Sequence, residues 1–145
     1  MVRRRYVTKP VGPAPKASSP RVRRSMRSNK RSGTKLEITL SRLLRKRLRP
    51  SSLPGKPDFV YKNARLAVFV HGCFWHRCPR DRDQLPRTHR SFWRRKLERN
   101  VERDRLNRME LEAMGWRVVE VWEHEVREDP AGVVRRIGEL AKERE

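Results

Sequence analysis

The chain has 145 residues, and 38 Lys and Arg against 17 Asp and Glu leave a formal charge of +21. With 35% apolar and 38% charged residues it can build the core of one modest domain and not of two. The longest apolar run, Leu66–Val70, is far short of the roughly 20 residues that cross a bilayer, and no apolar stretch follows the basic start. A membrane span is excluded for this chain, and a cytoplasmic protein without a secretory leader is expected.

Residues 1–24 mix Arg with Pro10, Pro13, Pro15 and Pro20 and offer almost nothing to bury. They read as a disordered basic arm ahead of a folded domain over 25–145. Residues 1–57 carry 18 basic side chains and a single acid, Glu37, for +17, whereas 58–145 carry 20 basic and 16 acidic ones, for +4. Charge concentrated in this way attracts phosphate in a salt-dependent manner, so nucleic acid is the expected partner.

Thr34-Lys-Leu-Glu37 has the pattern of a capping box, and Leu36, Leu40, Leu43 and Leu44 repeat at helical spacing, which predicts a helix over 35–48 ended by Pro50. After the turn chemistry of Ser51–Pro57, the runs 58–61 and 65–70 predict a two-stranded hairpin. Residues 71–90 show no period and hold Cys73, Cys78 and three of the four His, which marks a long functional loop. A long helix follows, capped by Ser91 and stopped by Gly115, with Trp93, Leu97, Val101 and Asp104 on one face. A carboxylate in line with an apolar stripe needs a partner. Residues 116–122 predict a third strand, and Asp129-Pro130 opens a last helix to about Ala141.

Pro57-Asp58 sets an acid at the start of one strand and His71 closes the next, so the hairpin brings both to one end of the sheet. An Asp beside a His there can organise a hydrated Mg²⁺ ion. His71-Gly-Cys-Phe-Trp-His76 adds a second imidazole able to take a proton near neutral pH, with inward Asp104 to orient it. Cys73, Cys78 and His124 are soft ligands suited to structural Zn²⁺, provided that the third strand lies beside the loop.

Taken together, Leu53-Pro-Gly-Lys-Pro-Asp58, Val68-Phe-Val-His-Gly-Cys-Phe-Trp-His76, Phe92-Trp93, Asn100-Val-Glu-Arg-Asp104 and Gly115-Trp-Arg-Val118 with Val121-Trp-Glu123 resemble the very short patch repair mismatch endonucleases. The likeness runs from about Arg24 to Arg127. It implies an α/β fold like that of restriction endonucleases, a small central mixed sheet flanked by helices and braced by zinc. It implies a Mg²⁺-dependent nick on the 5′ side of the thymine in T:G mismatches of double-stranded DNA, which arise when 5-methylcytosine deaminates. By the same resemblance Asp58 and the Val70 carbonyl would hold Mg²⁺, His76 would be the general base and Asp104 its orienting acid. His71 would support the phosphate or its leaving group, and Glu37 would join the site from the first helix. Phe74, Trp75 and Trp93 would wedge into the DNA, and the enzyme would act as a monomer alongside mismatch-repair and polymerase partners.

Two features depart from the family pattern. Pro79-Arg-Asp-Arg82 stands where a fourth zinc ligand is usual, leaving Asp81, Asp83 and His89 as candidates to join Cys73, Cys78 and His124. Leu48–Leu53 is too short for an additional strand, so a sheet smaller by one strand is expected. The competing readings are a non-catalytic, zinc-braced basic DNA-binding protein and a nuclease of the same fold with another DNA target. Joint retention of Asp58, His71, His76 and Asp104 favours an enzyme.

Overall fold

The computed structural model describes residues 11–28, 34–46, 51–80 and 84–142. Residues 1–10 of the expected arm, residues 47–50 with Pro50, and the candidate ligands Asp81 and Asp83 lie outside the described residues, and the helix expected over 35–48 already stops at Leu43.

The elements are α1 (Pro20–Ser28), α2 (Lys35–Leu43), β1 (Phe59–Tyr61), β2 (Leu66–His71), α3 (Arg90–Ala113), β3 (Arg117–Trp122), α4 (Glu123–Glu128) and α5 (Pro130–Lys142). Residues 20–24, expected to be disordered, begin α1. Ser19 Oγ accepts from the Val22 N–H at 3.2 Å, and Pro20 sits at the first helical position, where its missing N–H costs nothing. The Thr34 box forms as the pattern requires: the Glu37 N–H donates to Thr34 Oγ1 and the Thr34 N–H to Glu37 Oε2.

β1 and β2 make the hairpin, antiparallel with Phe59 opposite Val68. β3 lies parallel to β2 on its other side, from Leu66 opposite Arg117 to His71 opposite Trp122. As the middle strand, β2 buries Leu66, Ala67 and Val68 in succession, because both of its faces are covered. Leu66, Val68 and Val121 face a core shared with Phe59, with Leu40 of α2, Val126 of α4, and Val133 and Ile137 of α5. By the two-residue alternation of strands, His71 and Glu120 point to the opposite face, the side on which α3 meets β3.

α3 differs from expectation in two respects. Its N-cap is His89, in a left-handed conformation without a side-chain cap bond, and Ser91 is already inside the helix. Its buried side chains are Leu97 and Leu111, whereas Val101 is 40% exposed. Steps of seven residues drift only about 20° around a helix, so Leu97, Asp104 and Leu111 form one narrow line against the protein. Gly115 does terminate the element, with φ +83°. α4 forms where no element was expected: Glu125 Oε2 accepts from the Trp122 N–H at 2.8 Å, satisfying a helix-start donor three residues back. Asp129 then caps α5, accepting from the Gly132 N–H at 3.0 Å.

Candidate functional site

At the open end of the hairpin the Val70 N–H donates to Asp58 Oδ2 at 2.7 Å, which fixes the carboxylate beside the last turn of β2. Burial pushes the Asp58 carboxyl from 3.8 up to about 6; the Val70 N–H opposes this, the Glu37 carboxylate adds to it and His76 opposes it. Glu37 is itself 5% exposed, so its box-forming carboxylate faces inward towards Asp58. A desolvated carboxylate with a second one nearby is suited to a divalent cation, which would favour the charged form of Asp58. The buried Asp58 carboxylate is of the oxygen-donor type that Mg²⁺ prefers.

His71 is buried at 5% exposure, and its imidazole stacks on that of His76 at 4.1 Å between centroids. His76 Nδ1 meets Asp104 Oδ2 at 2.5 Å, so the inward acid of α3 has the partner its position demands. Glu120, which sequence reasoning missed, lies with Oε1 3.7 Å from His71 Nε2, and its other oxygen is 3.6 Å from Arg108. The His71 imidazole holds the Glu120 carboxyl below its ordinary value. Nothing local in Val119-Glu120-Val121 marks this residue; only the parallel register opposite Phe69 brings it there. The group can take up a proton at one imidazole and hold a second imidazole in fixed orientation.

Cys73, Cys78 and His124 gather on the loop and α4. Both Sγ atoms approach His124 Nδ1, at 3.3 and 3.2 Å. Burial pushes the Cys73 thiol up, and Cys78 and the Glu123 carboxylate add to that, so the thiolate form lacks a countercharge. Two thiols and an imidazole in contact fit a tetrahedral Zn²⁺ with three protein ligands. Among the described residues no further Cys, His, Asp or Glu joins the cluster, and His89 does not reach it. Arg80, close to the position of the usual fourth ligand, makes a bidentate ion pair with Glu128 that ties the loop to α4.

Phe74, Trp75 and Trp93 form one edge-to-face cluster, with centroids 5.1, 5.9 and 6.0 Å apart. Phe92, which the sequence reading left aside, joins at 5.4 Å from Trp93, and Lys96 Nζ lies over the rings of Trp75, Trp93 and Phe92. Asn100 Nδ2 donates to the Trp75 carbonyl at 3.0 Å and holds the loop against α3. Beyond the rings, Val11, Gly12 and Ala14 border, with Lys96, Arg99 and Arg103, a cavity of about 570 Å³. The start of the described chain thus lies along the basic side of α3.

Residues 17–81 match the family model described as DNA mismatch endonuclease Vsr. The chain is 45% identical over 121 residues to type II nicking enzyme V.NaeI of Lentzea aerocolonigenes, covering 77% of this chain and 72% of that one. It is 34% identical over 131 residues to type II nicking enzyme V.NmeDIP of Neisseria meningitidis serogroup C, covering 85% and 87%. To DNA mismatch endonuclease Vsr of Escherichia coli (strain K12) it is 47% identical over 77 residues, 53% of this chain and about half, 49%, of the relative.

Proposed function

Because the chain belongs to the Vsr DNA mismatch endonuclease family and is a strand-nicking DNA endonuclease of that family, we propose that it nicks double-stranded DNA on the 5′ side of the thymine in T:G mismatches left by deamination of 5-methylcytosine. The observation that carries the catalytic part is the short bond between His76 Nδ1 and Asp104 Oδ2 beside Asp58.

His76 accepts the proton of the attacking water at its other ring nitrogen, and Asp104 fixes the tautomer that leaves that nitrogen free. His71, held by Glu120 and stacked on His76, supports the phosphate or its leaving oxygen. Asp58 and the Val70 carbonyl would hold Mg²⁺, with Glu37 bordering the site, and bound there it would supply neutralisation of charge on the phosphate and on the leaving oxygen. Phe74, Trp75 and Trp93 enter the stack at the mismatch, where a wobble pair resists separation less than a Watson-Crick pair does. A restriction-endonuclease-like fold accommodates this arrangement, with β2 carrying the site at its C-terminal end and Zn²⁺ on Cys73, Cys78 and His124 bracing the loop.

The deciding experiment compares T:G, A:T and G:C duplexes, labelled on either strand, across varied flanking sequences, with Mg²⁺ and with EDTA. Nicking of the thymine strand of T:G duplexes alone, abolished by EDTA, is the expected result. Equal nicking of paired DNA would replace this reading with that of a nuclease aimed at another target, and binding without nicking would leave a DNA-binding protein.

A further inference from the structure

His71, His76 and Asp104 do more than line the reaction path. Each offers a ligand atom, and these atoms all lie within 4.8 Å of one another. The three are held from different directions: His71 by the end of β2, His76 by the loop and Asp104 by the buried line of α3. Two imidazoles and a carboxylate are the donor set of borderline cations such as Zn²⁺, Co²⁺ and Ni²⁺, whereas Mg²⁺ prefers oxygen alone. Ligands of a tetrahedral Zn²⁺ stand about 3.4 Å apart, so an entering ion would part His76 Nδ1 from Asp104 Oδ2, now 2.5 Å apart, and draw His71 in from within 4.8 Å. An imidazole that binds a metal ordinarily gives its other nitrogen to a carboxylate. Glu120, 3.7 Å from His71 Nε2, is placed for that, and Arg108 steadies it from α3.

We propose that His71, His76 and Asp104 form a third metal site, the second to take zinc-class divalent cations and selective for them over Mg²⁺, and that its occupation switches nicking off. The entering ion replaces the proton shared by His76 Nδ1 and Asp104 Oδ2, and that proton is released to the buffer. The inhibition rests on His76 being the proton acceptor; the binding does not. Two buried thiolates outcompete imidazole and carboxylate for these cations, so the cluster of Cys73, Cys78 and His124 fills first. A first equivalent of zinc therefore leaves nicking intact, and a second stops it.

The test starts from the full chain supplied with a single equivalent of Zn²⁺ in Mg²⁺-free buffer and titrates Co²⁺. The expected result is one further ion per chain, with visible ligand-field absorption and no sulfur-to-cobalt charge transfer. Asp104→Ala and His71→Asn should lose that absorption while keeping their single zinc, which reports an intact fold. Glu120→Gln should weaken cobalt binding about tenfold, the usual loss when the carboxylate behind a ligating imidazole is removed. No uptake of cobalt, or uptake that Asp104→Ala leaves unchanged, overturns the site. In the nicking assay with Mg²⁺, a second equivalent of zinc should depress the wild-type T:G rate about a hundredfold. Full activity with the second ion bound would overturn the inhibition, and with it the role of His76 as base, while the binding stands.

Discussion

Burial pushes the Asp58 carboxyl from 3.8 to about 6, so between those values the folded chain holds a proton that the unfolded chain has released. The ionised carboxylate therefore costs stability: nothing below pH 3.8, and about 3 kcal/mol above pH 6. In metal-free protein, Asp58→Asn keeps an oxygen for the Val70 N–H and removes the charge. It should be about 3 kcal/mol more stable than wild type at pH 8 and no more stable at pH 3.5, as read by urea unfolding. Added Mg²⁺ should stabilise wild type at pH 8 and leave the variant unmoved, and nicking should vanish in the variant. Asp104→Asn probes the neighbouring bond. An amide can turn its NH₂ towards His76 Nδ1 and stabilise the wrong tautomer, so the T:G nicking rate should fall about 10²- to 10⁴-fold with DNA affinity within a few fold. Wild-type rates in that variant would remove His76 and Asp104 from the mechanism.

At the scale of elements, α3 bears on the protein along Leu97, Asp104 and Leu111. Leu97→Ala and Leu111→Ala should each cost about 2 to 5 kcal/mol in denaturant unfolding, while Val101→Ala, on an exposed position, should stay within about 0.5 kcal/mol. The loop packed on this helix carries the aromatic cluster. Replacing Phe74 and Trp75 by Ala should cut the T:G rate strongly and leave slow nicking of paired DNA little changed. A retained T:G to A:T ratio would place discrimination elsewhere. Features set by neighbours in sequence were legible beforehand: the Thr34–Glu37 box, the hairpin, Gly115 as a stop and Asp129-Pro130 as a start each follow from local backbone chemistry. His71, Cys73, His76 and Cys78 drew notice because they crowd into eight residues, Asp58 because it opens the strand beside them, and Asp104 because it lies in line with an apolar stripe. Glu120 escaped because only packing against distant elements gives it a partner, and Lys96 because a basic residue three and four positions from Trp93 and Phe92 is ordinary on a helix until Trp75 joins them. Val101 was misplaced because a broad apolar stripe was assumed where α3 touches along a line, and α4 was missed because six residues are too few to show a helical period.

For the molecule as a whole, the uneven charge needs no structure to be read. Deleting residues 1–24 removes eight basic side chains and no acid. If all eight meet phosphates, the slope of log affinity against log salt should become shallower by about 7, at roughly 0.9 per contact; an unchanged slope would mean that this arm does not touch DNA. The zinc proposed at Cys73, Cys78 and His124 would act on the same global scale. Cys73→Ala or His124→Ala should lower both zinc content and thermal stability, and a fully stable, zinc-free variant would contradict the bracing role. Every rung between β2 and β3 joins residues 51 positions apart, and the contact of Cys73 with His124 spans the same 51. The Cys73 and His124 contact thus continues the ladder's offset two positions past His71 and Trp122. Its consequence lies in folding time. Parallel strands meet only after a long loop has closed, a slow step. An ion caught early by the thiols and His124 would close that same loop and set the register in advance. Zinc present when denaturant is diluted should therefore speed refolding, whereas zinc added after the chain has folded should raise stability alone.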